Sequence, residues 1–334
     1  MRLKSRYIVT GLLLLTLWAF SCRRDKKDPP VNGTSAYIQA LPAYFPPYER
    51  STVNPLTNEG VALGRMLYYD TLLSSGGPMA GRSCSSCHLQ EKGFAMPGMA
   101  VLPHINLAWN RHFLWKGDVE GTMEDILRFE VDEFFASDME RLKSNPQYPA
   151  LYKSAFGSGD ITREKTAFAL AQFMRTLVSV DSRYDKYLKN EIVLTDKEMR
   201  GYGIFFSEKG DCYHCHGSPL FSDNAYHNIG LVQKSANDMG RYRLTGNSSD
   251  VGKFKTPTLR NVALRNVYMH DGRFKTLKDV INHYDHGVQH GEYLDPLLDK
   301  PALGLTDTEI DELIAFLHTL TDSTFINNPQ FSRP

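Results

Sequence analysis

The chain has 334 residues, enough for two domains with hydrophobic cores, and its composition of 42% hydrophobic and 23% charged residues is that of a globular protein. Lys plus Arg and Asp plus Glu each number 38, so the formal net charge is zero. This balance gives no support for nucleic-acid binding or for a polybasic membrane surface.

The first 22 residues have the pattern of a lipoprotein signal peptide. A basic start precedes an apolar run over residues 8–20, which is too short for a comfortable transmembrane helix. The small residue Ser21 precedes Cys22, which favours a lipid-bearing Cys22 over an ordinary signal peptide or a short membrane anchor. We therefore predict a protein on the periplasmic side of the cell envelope, held at the membrane by lipid alone. The polar, proline-rich residues 23–50 are predicted to form a tether.

Four of the five cysteines form two CxxCH motifs, and the fifth is the predicted lipid site. The motifs consist of Cys84, Cys87 and His88 and of Cys212, Cys215 and His216. In such a motif the thiols form thioether bonds to a haem, and the histidine binds its iron as the proximal ligand. A zinc site would need four ligands, and a redox dithiol does not need the histidine. The motifs therefore predict two covalently bound haem c groups, with His88 and His216 as iron ligands.

A repeat follows each motif and indicates an internal duplication. Asn, Ala, an aromatic residue and Gly recur with identical spacing, and a Thr-x-x-Asp helix start comes after them. The matched residues are Asn106, Ala108, Phe113, Gly117 and Thr122 in the first copy and Asn261, Ala263, Tyr268, Gly272 and Thr276 in the second. From the haem histidine to the repeated Asn the chain runs 18 residues in the first copy (88 to 106) and 45 in the second (216 to 261). The first haem therefore has less chain available to cover it.

The remaining pattern is mostly helical. Capping boxes begin at Thr195 and Thr306, and apolar residues recur at helical spacing over residues 162–188 and 310–320, without convincing strand alternation elsewhere. We predict a mostly α fold of two cytochrome c-like haem domains related by internal duplication. The N-terminal domain is expected at residues 51–190 and the C-terminal domain at residues 191–325.

From about residue 53 to 322 the chain resembles the bacterial di-haem cytochrome c peroxidase and MauG family. The resemblance is carried by residues 93–94, 106–110, 113–117, 254–261 and 268–273. Such proteins consist of two cytochrome c-like domains, with a peroxidatic haem in the first and an electron-transfer haem in the second. The resemblance implies reduction of hydrogen peroxide to water by electrons from a small donor such as a cytochrome c. These electrons would enter at the C-terminal haem and reach the N-terminal haem, and a homodimer is implied by analogy.

The resemblance assigns roles to residues near the second haem. Trp115 matches the family tryptophan that relays electrons between the haems, although a tryptophan of the core would show the same pattern. Tyr284 matches the position of the sixth iron ligand, which is a methionine in the peroxidases and a tyrosine in MauG-type proteins. Met269 and His283 are alternative ligands, and Tyr284 packed beside the haem is the structural alternative. His270 is expected at a haem edge or a loop.

For the first haem, the same count along the repeat arrives at Glu130. Peroxide cleavage needs a group that carries a proton from the inner to the outer oxygen, and a carboxyl group can do so. The candidate acids are Glu130, then Asp138, which matches the family's acid, and Glu133; a solvated acidic face is the alternative. The family's assisting glutamine is replaced near Ile126, which weakens the match to a full peroxidase site.

The short loop of the first copy lacks most of the segment that, in family peroxidases, carries a histidine capping the resting haem. His104 lies nearby but aligns with the Pro-Thr-Leu segment, residues 257–259, that precedes the repeated asparagine in the second copy; we call this segment and its counterpart in the first copy the strap. We therefore expect an open or water-ligated first haem that is active without reductive priming.

Two further expectations concern groups around the haems. Thr256 and Pro257 match a strap that holds an interdomain calcium in the family, whereas Ala100 replaces the expected asparagine and argues against calcium. The candidate partners of the haem propionates, or alternatively surface charges, are Arg260, Arg265 and Arg273.

Three functions follow from these residues. The leading hypothesis is a peroxidase. MauG-like oxidation of a protein or other large substrate is the second, and Tyr284 favours it. The third is a di-haem electron carrier or sensor without turnover, which would require strong ligands on both irons; the sequence offers no obvious one for the first haem.

Overall fold

The computed structural model describes residues 33–74, 76, 79–231 and 238–334. The predicted signal peptide, the lipid site Cys22 and residues 23–32 of the predicted tether lie outside this part of the chain. Within it, none of the helices combines the length and the apolar character that crossing a membrane requires.

The described residues form eleven α-helices, two π-helical turns and four short strands, which confirms the predicted mostly α fold. Helices α1–α11 are Asn58–Tyr69, Met123–Phe129, Met139–Ser144, Tyr148–Phe156, Arg163–Thr176, Arg183–Leu188, Asp196–Phe205, Tyr242–Thr245, Leu277–Asn282, Asp307–His318 and Ser323–Ile326. The π-helical turns Glu130–Phe134 and His283–Gly287 continue α2 and α9. Strands β1–β4 are His112–Phe113, Val119–Glu120, Tyr226–His227 and Phe254–Lys255, paired antiparallel as β1–β2 and β3–β4.

The same close helix crossing organises both halves of the molecule. In the first half α1 packs on α5, and a Cβ added at Gly64 would lie 1.9 Å from the Ala169 carbonyl oxygen. In the second half α7 packs on α10, and a Cβ added at Gly201 would lie 1.9 Å from the Glu312 carbonyl oxygen. Each glycine therefore lets two helix backbones touch, which a side chain at that position would prevent.

The repeated asparagines hold the strap of each half in the same way. Asn106 and Asn261 both adopt the left-handed conformation, with φ of 56° and 58°. The Asn106 N–H donates to the Leu177 carbonyl (3.0 Å), and the Asn261 N–H donates to the Leu320 carbonyl (3.0 Å). Asparagine tolerates this conformation better than most residues, which explains why it recurs. The duplication seen in the sequence is thus present in the backbone.

One predicted helix is in fact two. The apolar pattern over residues 162–188 was expected to form a single helix, but α5 ends at Thr176 and α6 begins at Arg183. Between them the Ser179 N–H donates to the side chain of Asn106 (2.9 Å) instead of continuing a helix, and Ser182 caps α6. The interruption is the place where the first strap is attached.

Residues 33–50 do not behave as the free tether that their composition predicted. Phe45 is buried, and the Tyr44 hydroxyl donates to Asp185 Oδ1 (3.0 Å). The Trp109 indole donates to the Pro46 carbonyl (2.8 Å). Apolar side chains among the prolines therefore anchor this segment on the folded protein.

The buried hydrophobic side chains form two clusters, one for each half. Tyr184 packs in the second cluster, whereas Phe325 and Phe331 near the chain end return to the first. We keep 190 and 325 as proposed limits of the domains, with packing that crosses both.

Candidate haem sites

Both histidines that are predicted to bind haem iron are fixed by a backbone carbonyl. His88 Nδ1 donates to the Phe94 carbonyl (2.9 Å), and His216 Nδ1 donates to the Phe221 carbonyl (3.0 Å). This tautomer leaves Nε2 with its lone pair free to bind iron. Burial lowers the pKa of both imidazoles, that of His88 to about 4, so both are neutral, as iron binding requires. The four thiols of the motifs form no disulfide.

A cavity of about 450 Å³ adjoins the second motif and fits a haem. Cys212, Cys215 and His216 line it together with many apolar side chains. Three cations also line it, and one of them, Lys300, forms an ion pair with Asp211. The other two are Lys255, whose Nζ donates to Asn224 Oδ1 (2.6 Å), and Arg265, which donates to the Thr258 carbonyl (2.9 Å).

Burial lowers the pKa of Lys255 to about 8 and that of Arg265 to about 10. Neither forms a salt bridge within the described residues, so both are suited to the two propionates of a haem.

The other two arginines that were expected to bind propionates have protein partners. Arg260 is fully buried and makes a bidentate ion pair with Asp185 (2.8 and 2.9 Å). Arg273 pairs with Asp271 (2.8 Å). Of the three candidates, Arg265 alone retains an uncompensated charge at the cavity.

Tyr284, Met269 and His283, the candidate sixth ligands, differ in orientation. Tyr284 lines the cavity close to Cys215 and Cys212, and burial raises the pKa of its hydroxyl. Met269 also lines the cavity. The Nε2 of His283 donates to the Ile229 carbonyl (2.9 Å), which engages the nitrogen that would bind iron. The geometry therefore favours Tyr284 or Met269 over His283.

Trp115 belongs to the first half but lines the cavity of the second. Its indole donates to the Ala100 carbonyl (2.7 Å), and its own carbonyl accepts a hydrogen bond from the Lys255 N–H (2.8 Å). His270 lies edge-on at 6.4 Å between ring centroids and is held by Asp238 (2.9 Å). The predicted relay residue thus stands where the two halves meet, and His270 has a loop partner, as expected.

Glu130, Glu133 and Asp138 have different surroundings. Glu130, at the start of the first π-helical turn, is half-buried near Cys84, and burial raises its pKa to about 7. Glu133 is exposed. Asp138 is exposed and caps α3 by accepting a hydrogen bond from the Glu140 N–H (2.9 Å). Of the three acids, Glu130 has the surroundings of a proton carrier.

His104 lies beside His88 instead of across the haem from it. The two imidazole rings stack with centroids 3.5 Å apart and planes 14° apart. Rings in this arrangement would lie on the same side of a haem bound to His88, so His104 is not placed to bind the iron from the opposite side. Its Nδ1 shares a hydrogen bond with the Tyr68 hydroxyl (3.0 Å).

Comparison with known proteins accounts for this arrangement. A family model described as di-haem cytochrome c peroxidase matches residues 58–192, and one described as cytochrome c matches residues 199–321. Methylamine utilization protein MauG of Methylorubrum extorquens is 35% identical over 80% of this chain and 79% of its own length. The chain belongs to the di-haem cytochrome c peroxidase and MauG family.

Other members of the family are similar over most of their length. Cytochrome-c peroxidase IdrP2 of Denitromonas iodatirespirans is 33% identical over 78% of this chain and 81% of its own. The crystal structure of a MauG-like protein associated with microbial copper homeostasis has a TM-score of 0.81 and 31% identity, and covers 90% of this chain and 99% of that one. Family membership confirms two haem c groups with their irons, two cytochrome c-type domains and an oxidoreductase of the cytochrome c peroxidase type.

Some residues around the haems were missed or only partly assigned by the sequence analysis. The buried cation Lys255 lies next to Thr256 and Pro257, but its charge beside the second haem site was not predicted. Tyr68 lies in α1, before the first motif, and no sequence signal connected it with His104.

Proposed function

We propose that this family member is a peroxidase that reduces hydrogen peroxide to water at the His88 site, with electrons from a small donor such as a cytochrome c that enter at the His216 site. When bound, the haem irons supply the electron transfer and the cleavage of the O–O bond. The observation that carries the proposal is the half-buried carboxyl group of Glu130, with a pKa near 7 beside the first motif.

Glu130 supplies the proton step of the proposed reaction. The proton on the inner oxygen of peroxide must reach the outer oxygen before water can leave. A carboxyl group with a pKa close to the working pH accepts a proton and releases it again at little cost. Glu133 and Asp138 are exposed and have no such environment, so we assign them no direct part in proton transfer.

Trp115 and Tyr284 support the electron path. Trp115 brings a conjugated ring of the first half into the wall of the second cavity, next to the backbone of Lys255. We propose Tyr284 as the sixth ligand of the second iron, because it faces the same cavity as His216. A phenolate ligand favours ferric iron and keeps that reduction potential low.

MauG-like oxidation of a protein or other large substrate is the second candidate. Tyr284 favours it, and so does the identity of 35% to a protein named MauG. The two candidates differ in whether a reduced cytochrome or a larger substrate supplies the electrons.

Steady-state consumption of peroxide with a reduced cytochrome c tests the proposal. We expect turnover in the wild type, a loss of about 100-fold in Glu130→Gln, and an unchanged rate in Glu133→Gln, its exposed neighbour in the same π-helical turn. Peroxide consumption that needs a protein substrate instead of the cytochrome would favour the MauG-like candidate. Absence of any peroxide turnover would leave the electron carrier or sensor.

The location and assembly of the protein are part of the proposal. We propose that it is exported to the periplasmic side of the envelope, anchored by lipid on Cys22, and forms a homodimer. Cys22→Ser should release it from the membrane fraction with both haems in place, and the mass in solution should be that of two chains. Membrane retention of the variant would contradict the anchor.

A further inference from the structure

The two proximal histidines sit in one backbone frame, which allows position-by-position comparison. In the first half the Phe94 carbonyl accepts hydrogen bonds from Nδ1 of the proximal histidine (2.9 Å) and from the backbone N–H of His104 (3.1 Å). In the second half the Phe221 carbonyl accepts from Nδ1 of the proximal histidine (3.0 Å) and from the backbone N–H of Leu259 (3.2 Å). His104 and Leu259 are therefore equivalent residues, one beside each haem ligand.

A second pair of equivalent residues follows from the helix crossings. Gly64 and Gly201 make the same backbone contact in α1 and α7. Tyr68 and Phe205 come four residues later on the same helix face. The Tyr68 ring lies 6.0 Å from that of Phe94, and the Phe205 ring lies 5.9 Å from its counterpart in the second half. Tyr68 and Phe205 are therefore equivalent as well.

At both of these positions the first half has a polar residue and the second half an apolar one. The first half has a tyrosine and a histidine that share a hydrogen bond (3.0 Å), whereas the second half has Phe205 and Leu259, which can form none. Tyr68 is fully buried, close to Cys84, and a buried hydroxyl needs a partner. The two polar residues of the first half thus occur as a unit, and the second half lacks both.

We propose that Tyr68 and His104 act as a pair of positioning residues that fix the plane of the His88 ring and lower the reduction potential of the first haem. The Tyr68 hydroxyl holds the His104 ring, and that ring stacks on His88 at 3.5 Å. Groups around a metal ligand orient it, and their polarity sets the potential of the metal. A polar imidazole stabilises the extra positive charge of ferric iron better than the isobutyl group of Leu259 does. The inference applies whichever substrate the protein oxidises.

Redox titration of the full-length protein with both haems bound tests this pair. The second haem serves as a reference within the same molecule. In His104→Leu we expect the potential of the first haem to rise by about 59 mV, a tenfold change in its reduction equilibrium, while the second stays unchanged. Tyr68→Phe should shift it in the same direction by less, because the polar imidazole of His104 remains next to His88 but loses the hydrogen bond that holds it in place.

Two further variants distinguish the effect of the stacked ring of His104 from the effect of its polarity. His104→Phe retains a stacked ring without polar atoms, so the potential should rise while the hyperfine-shifted haem methyl resonances, which depend on the ligand plane, stay near those of the wild type. The double variant Phe205→Tyr with Leu259→His installs the pair in the second half and should lower the potential of the second haem.

Unchanged potentials in both His104→Leu and Tyr68→Phe would overturn the proposal, as would equal shifts of the two haems, which would indicate a general loosening of the fold. If His104→Leu does not fold, Tyr68→Phe and the double variant in the second half decide the question. Tyr68→Phe removes a single oxygen atom, and a first-haem potential equal to that of the wild type would then count against the pair.

Discussion

The two halves of the molecule hold their haem motifs in one backbone frame but surround them with different side chains. In both halves the histidine of the motif donates a hydrogen bond to a phenylalanine carbonyl. In both halves a threonine also caps a short α-helix that continues into a π-helical turn. At the eighth residue after that cap, the first half places Glu130 and the second Tyr284. A carboxyl group can move protons, whereas a phenol can bind iron. The duplication therefore preserved the scaffold for the haems and changed the chemistry on it.

The largest effect is expected for the pH dependence that Glu130 imposes on the first half. Its carboxylate must be ionised to accept a proton, and burial raises its pKa to about 7. The ionised fraction falls about tenfold for each pH unit below that pKa, so kcat/KM for peroxide should fall likewise. Stopped-flow measurements from pH 5 to 8 check this. Glu130→Gln should be slow and pH-independent, and a wild-type profile that stays flat across pH 7 would refute the assignment.

The helix crossings should be equally sensitive in the two halves. Gly64→Ala and Gly201→Ala each place a methyl group against a carbonyl oxygen, so we expect each to lower the free energy of unfolding by about 1–3 kcal/mol. Gly203, in the same helix as Gly201, has no atom near its added Cβ. Gly203→Ala should therefore raise that free energy by about 0.8–1 kcal/mol through helix propensity. Denaturant titration of the three variants measures whether each change lowers or raises the free energy of unfolding. Equal effects of Gly201→Ala and Gly203→Ala would contradict the close backbone contact at Gly201.

Tyr284 should set the potential of the second haem without affecting the first. In Tyr284→Met a thioether replaces the phenolate, so the second potential should rise by at least about 59 mV, a tenfold shift of its reduction equilibrium. Spectroelectrochemistry resolves the two haems. A variant with the wild-type potential and absorption spectrum would show that Tyr284 only packs beside the haem.

The smallest effect is expected at the junction of the halves. Trp115→Phe should slow donor-dependent turnover by less than tenfold, under about 1.4 kcal/mol of activation free energy, because an aromatic ring remains but the more easily oxidised indole is lost. Trp109 is a suitable control, since its indole also donates to a backbone carbonyl, that of Pro46 (2.8 Å). If Trp109→Phe reduces turnover as much as Trp115→Phe does, Trp115 has no special role.

The sequence predicted those features that depend on local chemistry. The motifs predicted both proximal ligands, and the recurring asparagines revealed the duplication, because a residue in the left-handed conformation must be specified by type. The split between α5 and α6 was not predictable, since it depends on the contact of Ser179 with Asn106 across the fold. The contact between Tyr68 and His104 was not predictable either, because the two residues are 36 positions apart in the sequence and meet only in the folded protein.

The electron paramagnetic resonance spectrum of the resting ferric protein, recorded with and without azide, tests the asymmetry of the two halves most directly. We predict two different iron signals: a high-spin signal from the His88 haem that changes on addition of azide, and a low-spin signal from the His216 haem that does not. Two low-spin signals that are both insensitive to azide would contradict the division of the molecule into a reactive half and an electron-transfer half.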